Sequence, residues 1–132
     1  GYFYMFNLIF HELFHFVFGI FGQTMHFLGG TIGEFIFPII FGGYFFLRQQ
    51  FNGVFFCLWW IGFNIVTTGA YMNDAIVMRI PLIAADSVHD WNWLFTKFNI
   101  LPHAEHIGLT VFVLGAIAMV ASIGGYVVQL RK

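Results

Sequence analysis

Residues 107–130 read IGLTVFVLGAIAMVASIGGYVVQL, twenty-four residues without a charge, closed by Arg131-Lys132. About 20 apolar residues in a helix cross the hydrocarbon core of a bilayer, so this stretch reads as a membrane span. Toward the N-terminus, residues 51–70 are equally free of charge. Residues 27–47 are interrupted by Glu34 and Pro38 and stop at Arg48-Gln49-Gln50, and residues 2–21 hold Asn7, His11, Glu12 and His15. The expected architecture is all-α and polytopic. It comprises about four transmembrane helices (about 2–21, 27–47, 51–70 and 107–130) in a single transmembrane domain covering 1–132.

Composition agrees with that reading. The 132 residues are 60% hydrophobic and 8% charged, with a mean hydropathy of +0.84, whereas an ordinary soluble domain carries roughly 25% charged residues. So few charges neither solvate a small soluble domain nor keep a chain disordered. A net charge of −1 offers no basic excess for nucleic acid. Cys57 stands alone, which excludes a disulfide framework and a cysteine-based zinc cluster. The opening stretch lacks a positive leading region and a small-x-small cleavage site, so it is not expected to be a signal peptide.

Short connections at residues 22–26 and 48–50 imply antiparallel neighbours. Arg48 and Arg131-Lys132 fall on one side of the membrane, Arg79 and Lys97 on the other. The positive-inside tendency then puts both termini in the cytoplasm, with a bacterial inner membrane as the expected location. The segment 71–106 is expected outside the spans. Within it, Ser87-Val88-His89-Asp90 has capping-box spacing, with Ser87 as N-cap and Asp90 reaching back. Val88, Trp91, Leu94, Phe95 and Phe98 then recur at helical spacing opposite Asn92, Thr96 and Asn99, an amphipathic helix expected in the membrane interface. Gly108, Gly115, Ala118, Ser122 and Gly125 share one face of the last span. Small residues of this kind let another helix approach, and other membrane subunits are the expected partners, besides lipid.

The chemistry-bearing motif is His11-Glu12-Leu13-Phe14-His15. On a helix, i and i+4 share a face, so both imidazoles can ligate one zinc ion while Glu12 serves as general base. Ionisable groups in a span are costly and are usually functional or paired. At about 1.5 Å per residue, His15 and His11 lie nine and thirteen residues before Thr24, and Glu34 ten residues after it. Glu34 and Asn64 are each fifteen residues from Gln49. His11, His15, Glu34 and Asn64 are therefore expected at one depth, with Glu34 as third metal ligand and Asn64 as a hydrogen-bonding or substrate-orienting residue. Asp74 is the alternative third ligand, or an interfacial cap. His26 shares a stripe with Gly30 and Glu34 and is a supporting candidate. His103 and His106 are expected where the last helix opens in water.

The span bearing His11-Glu12-x-x-His15 resembles intramembrane zinc metallopeptidases of the site-2 protease type. More broadly, the chain resembles uncharacterised bacterial membrane proteins with an H-E-x-x-H span. Here the shared features read Gly29-Gly30-Thr31, Tyr71-Met72-Asn73-Asp74-Ala75 and His89-Asp90-Trp91. The resemblance implies His11 and His15 as ligands and Glu12 as base. The Leu-Asp-Gly motif that supplies the third ligand in site-2 proteases has no counterpart in this sequence, so the third ligand and peptidase activity stay open. The alternative reading is a non-catalytic subunit of a respiratory or photosynthetic complex, its histidines structural or ligating haem or chlorophyll.

Overall fold

A computed structural model describes residues 2–76, 78 and 89–131. Among these residues every regular element is helical: α1 Tyr2–Gly19, α2 Gln23–Leu47, α3 Phe51–Asn73, α4 Asp90–Lys97, a 3₁₀ turn Leu101–His103 and α5 Ala104–Leu130. Three helices (α2, α3 and the continuous 101–130 segment) are long and apolar enough to cross a membrane, and α1 is shorter. α2 and α5 begin earlier and α3 ends later than hydropathy alone implies, because polar residues such as Gln23, Glu105 and Asn73 complete the terminal turns, whereas α1 stops at Gly19, short of residue 21.

The chain runs α1 against α2, α2 against α3 and α3 against α5. Gly22 makes the first reversal at φ 117°, a conformation that side-chain-bearing residues rarely adopt. Inside α2, Pro38 is buried. It has no N–H to give to the carbonyl of Glu34 one turn earlier. Asn64 on α3 donates its Nδ2 to that carbonyl at 2.7 Å. A neighbouring helix thus satisfies the backbone group freed by a proline, the condition on which proline is tolerated within a span.

The small-residue face of α5 is covered from within the chain. Gly108 faces the Asn73 backbone, Gly69 the Phe112 backbone, Gly115 the Val66 backbone and Gly62 that of Met119. A Cβ at Gly108 would lie 2.3 Å from Asn73 N. Within this chain α3 packs on the stripe that the sequence offered to another subunit, because its own glycines let the two backbones meet. Gly108→Leu should cost roughly 3 kcal/mol or more, the upper end of overpacking effects. Gly124→Leu, at a position with nothing within 4 Å, should stay within about 0.5 kcal/mol. Thermal unfolding in detergent reads both.

The amphipathic helix is present as α4. Its apolar face packs on protein: Trp91, Leu94 and Phe95 are buried with Phe27, Ala75 and Ala104, and Trp93 stacks on Phe27 at 4.3 Å. Lys97 donates to Thr24 Oγ1, so α4 lies across the end of the bundle where α1 turns into α2. Its N-cap is His89, whose Nδ1 accepts from the Asn92 N–H at 3.2 Å. Ser87, Val88 and Arg79 lie outside the described residues.

Candidate metal centre

Asn7, His11 and His15 of α1 fall on one stripe and turn inward, with Glu12 half-buried beside them. Asn7, His11 and His15 are 4%, 4% and 6% exposed, while Met5, Ile9, Leu13 and Phe16 on other faces are at least half exposed. Asn7 accepts from Trp60 Nε1 on α3 at 3.0 Å. One turn further, His11 directs Nδ1 toward Glu34 Oε1 at 3.4 Å and Nε2 toward Asp90 Oδ2 at 2.7 Å. A turn beyond that, His15 donates from Nδ1 to the His26 carbonyl at 2.5 Å and directs Nε2 toward the same Asp90 oxygen at 3.0 Å. His26 returns the contact, donating from Nδ1 to the His15 carbonyl at 2.9 Å.

Both imidazoles therefore face oxygen at both nitrogens. With both carboxyls ionised, protons alone would meet this demand only as two imidazolium rings, buried with centroids 4.6 Å apart, which places like charges together at low dielectric. One divalent cation on the Nε2 side carries the same double charge and leaves each Nδ1–H on its outer acceptor. A carboxylate or carbonyl holding the far nitrogen is the usual setting of a metal-ligating histidine.

The residues present fit such an ion. Two nitrogens and a carboxylate oxygen are a zinc donor set. Tetrahedral ligands at ordinary zinc distances stand about 3.3 Å apart, so the contacts at 2.7 and 3.0 Å need open only by a few tenths of an ångström. Ligand atoms of His11, Glu12 and His15 lie within 4.8 Å of one another. Gly30 leaves the ground between the rings clear: a Cβ there would sit 2.6 Å from His15 Nε2 and 2.7 Å from His11 Nε2. Burial by itself would raise the Asp90 carboxyl, but the hydrogen bonds from His11 and His15 outweigh it and hold the group below the usual carboxylate range.

The structure brings together His11, Glu12, His15, Glu34, Asn64 and His26. Glu34 meets the outer nitrogen of His11, Nδ1, and not the Nε2 that faces the Asp90 oxygen shared with His15. Asp74 makes its contact with His89 Nε2, at 3.3 Å and without hydrogen-bond alignment. Burial holds the His89 imidazole below its ordinary value, with Asp74 offsetting only part of the shift. The capping role read for Asp90 is corrected: it is the first residue of α4, and its side chain reaches α1 while His89 caps. One signal in the sequence pointed that way. Asp90 shares the stripe of Trp91, Leu94 and Phe95, so a carboxylate lies on the face that packs inward. Tyr71 supports it from α3, accepting the Asp90 backbone N–H at 3.2 Å.

Comparison with protein-family models, curated proteins and solved structures returned no match. The functional reading therefore rests on the chemistry of these residues.

Proposed function

We propose that this chain is a membrane-embedded zinc protein of the metallopeptidase type, with His11 Nε2, His15 Nε2 and the Asp90 carboxylate as ligands and Glu12 as general base. The observation that carries the reading is the convergence of two imidazoles, each held at its outer nitrogen, on one carboxylate oxygen. It also favours a compact cation over haem or chlorophyll, since both Nε2 atoms point into a space bounded by Asp90 and Gly30 rather than toward an open macrocycle face.

In this reading Asp90 takes the position for which Glu34 and Asp74 were the candidates in the sequence. Glu34 orients His11 through Nδ1, and the His26 carbonyl orients His15. Zinc held there supplies Lewis acidity toward a carbonyl or a water molecule. Glu12, half-buried one residue from His11, takes the proton from the attacking water and returns it to the leaving amine. α4 closes the site on the side of the α1–α2 turn and excludes bulk water, which strengthens every charge interaction within. The substrate class is a peptide bond reached from within or at the edge of the bilayer.

α1 serves as a fourth span in this proposal. Its 18 residues cover about 27 Å, and its inward polar stripe with apolar outer faces suits a helix between protein and lipid. α4 lies at the interface over the site, and the opposite end, with Arg48 and Arg131, faces the cytoplasm.

Metal analysis of the detergent-purified protein tests the proposal. About one zinc per chain is expected, falling to background in His15→Ala with helix content retained. Wild-type protein that takes up no zinc after incubation with the ion would overturn it.

A further inference from the structure

A second site lies at the opposite end of the bundle. Between α3 and α5 is a cavity of about 320 Å³ lined by Asn52, Phe55, Phe56, Trp59, Ser122, Ile123 and Tyr126, the size at which small-ligand sites begin. The close approaches between α3 and α5 fix its depth. Residues 73 and 108, 69 and 112, 66 and 115, and 62 and 119 face one another, and Gly125 meets Phe55. On that register Trp59 and Ser122 form the deep end, and Tyr126 and Asn52 lie about 6 and about 10 Å nearer the end of the bundle. Arg131 falls level with Gln50, two residues from Arg48.

The cavity is therefore graded. Its deep wall is apolar, since Ser122 spends its hydroxyl on the Met119 carbonyl at 2.8 Å. The amide of Asn52 and the phenol of Tyr126 stand toward the mouth. Charge follows the same gradient. Arg48, whose guanidinium lies 5.5 Å from the centre of the Tyr44 ring, and Arg131 both lie at this end. The acidic residues of the described helices lie elsewhere: Glu12 and Glu34 at the metal centre, Asp74 at the end of α3, Asp90 on α4 and Glu105 in the first turn of α5.

We propose that this cavity binds one acyl chain of an anionic phospholipid, with its phosphate held by Arg48 and Arg131. A chain between Phe55, Phe56, Trp59 and Ile123 fills the apolar end, and the glycerol region meets Asn52 and Tyr126. Arginine near a membrane surface favours anionic lipid by roughly five-fold per residue, so the pair sets the headgroup preference while the cavity sets the position. The site is independent of the zinc reading.

Trp59 reports occupancy directly. The full chain is reconstituted in phosphatidylcholine bilayers doped with brominated-chain phosphatidylglycerol or, separately, brominated-chain phosphatidylcholine, and the Trp59 signal is taken as the difference from Trp59→Phe. Half-maximal quenching is expected at a several-fold lower mole fraction of the anionic lipid. Arg48→Gln with Arg131→Gln should abolish that preference without changing helix content. Ile123→Trp, at a position 52% exposed, should obstruct the cavity and, with its own emission removed by an Ile123→Trp, Trp59→Phe control, weaken quenching of Trp59 by both lipids. Equal quenching by the two lipids, absence of quenching at Trp59, or a preference that survives loss of both arginines would each overturn the proposal.

Discussion

Asp90→Ala should strip the zinc as completely as loss of either histidine. The variant keeps α4, because His89 caps it and Trp91, Leu94 and Phe95 anchor it, but the oxygen on which both Nε2 atoms converge is gone. A site left with two neutral imidazoles holds the ion without an anionic ligand, in surroundings that do not compensate its charge. Zinc titration against a competing chelator should show affinity reduced beyond measurement in Asp90→Ala. Glu34→Gln, which touches only the outer nitrogen of His11, should lose about 10- to 100-fold, the usual cost of removing a group that orients a ligand. Asp74→Asn should keep the wild-type stoichiometry. Zinc retained in Asp90→Ala but lost in Glu34→Ala would transfer the third position to Glu34 and refute the ligand set proposed here.

The second large effect is expected at Glu12. Glu12→Gln preserves size and leaves His11, His15 and Asp90 in place, so zinc content should stay near one per chain. Cleavage of a transmembrane peptide in detergent should fall by about 10²- to 10⁴-fold, the range a positioned general base contributes. Loss in kcat with little change in KM would indicate a group acting in the transition state rather than in binding. Hydrolysis unchanged by Glu12→Gln would eliminate Glu12 as the base. Zinc-loaded wild-type protein inert toward such peptides would leave the metal centre standing and remove the peptidase activity.

Much of this was legible in the chain because it depends on spacing within one helix. The four-residue steps from Asn7 to His11 to His15 put three polar groups on one stripe, and that stripe is the one buried. Depth counted from the turns brought Glu34 to His11 and Asn64 to α2, since antiparallel helices joined by short turns have little freedom to slip. The role of Asn64 was less accessible. Its amide answers the carbonyl that Pro38 leaves free, a relation visible only once α2 and α3 are side by side.

Asp90 shows where such counting stops. It lies 79 residues beyond His11, and its position at a helix start gave it a sufficient local role as a cap. The same holds for the glycine face of α5: its composition called for a closely packed helix, while the identity of that helix depended on matching glycines in α3. Sequence by itself determined the membrane class, the helices and the His11-Glu12-x-x-His15 geometry, because hydropathy and the 3.6-residue period act locally. Tertiary structure alone decided which acid joins the histidines and which helix covers the glycines. Both follow from how α4 and α5 fold back on the bundle, and no spacing along the chain encodes those contacts.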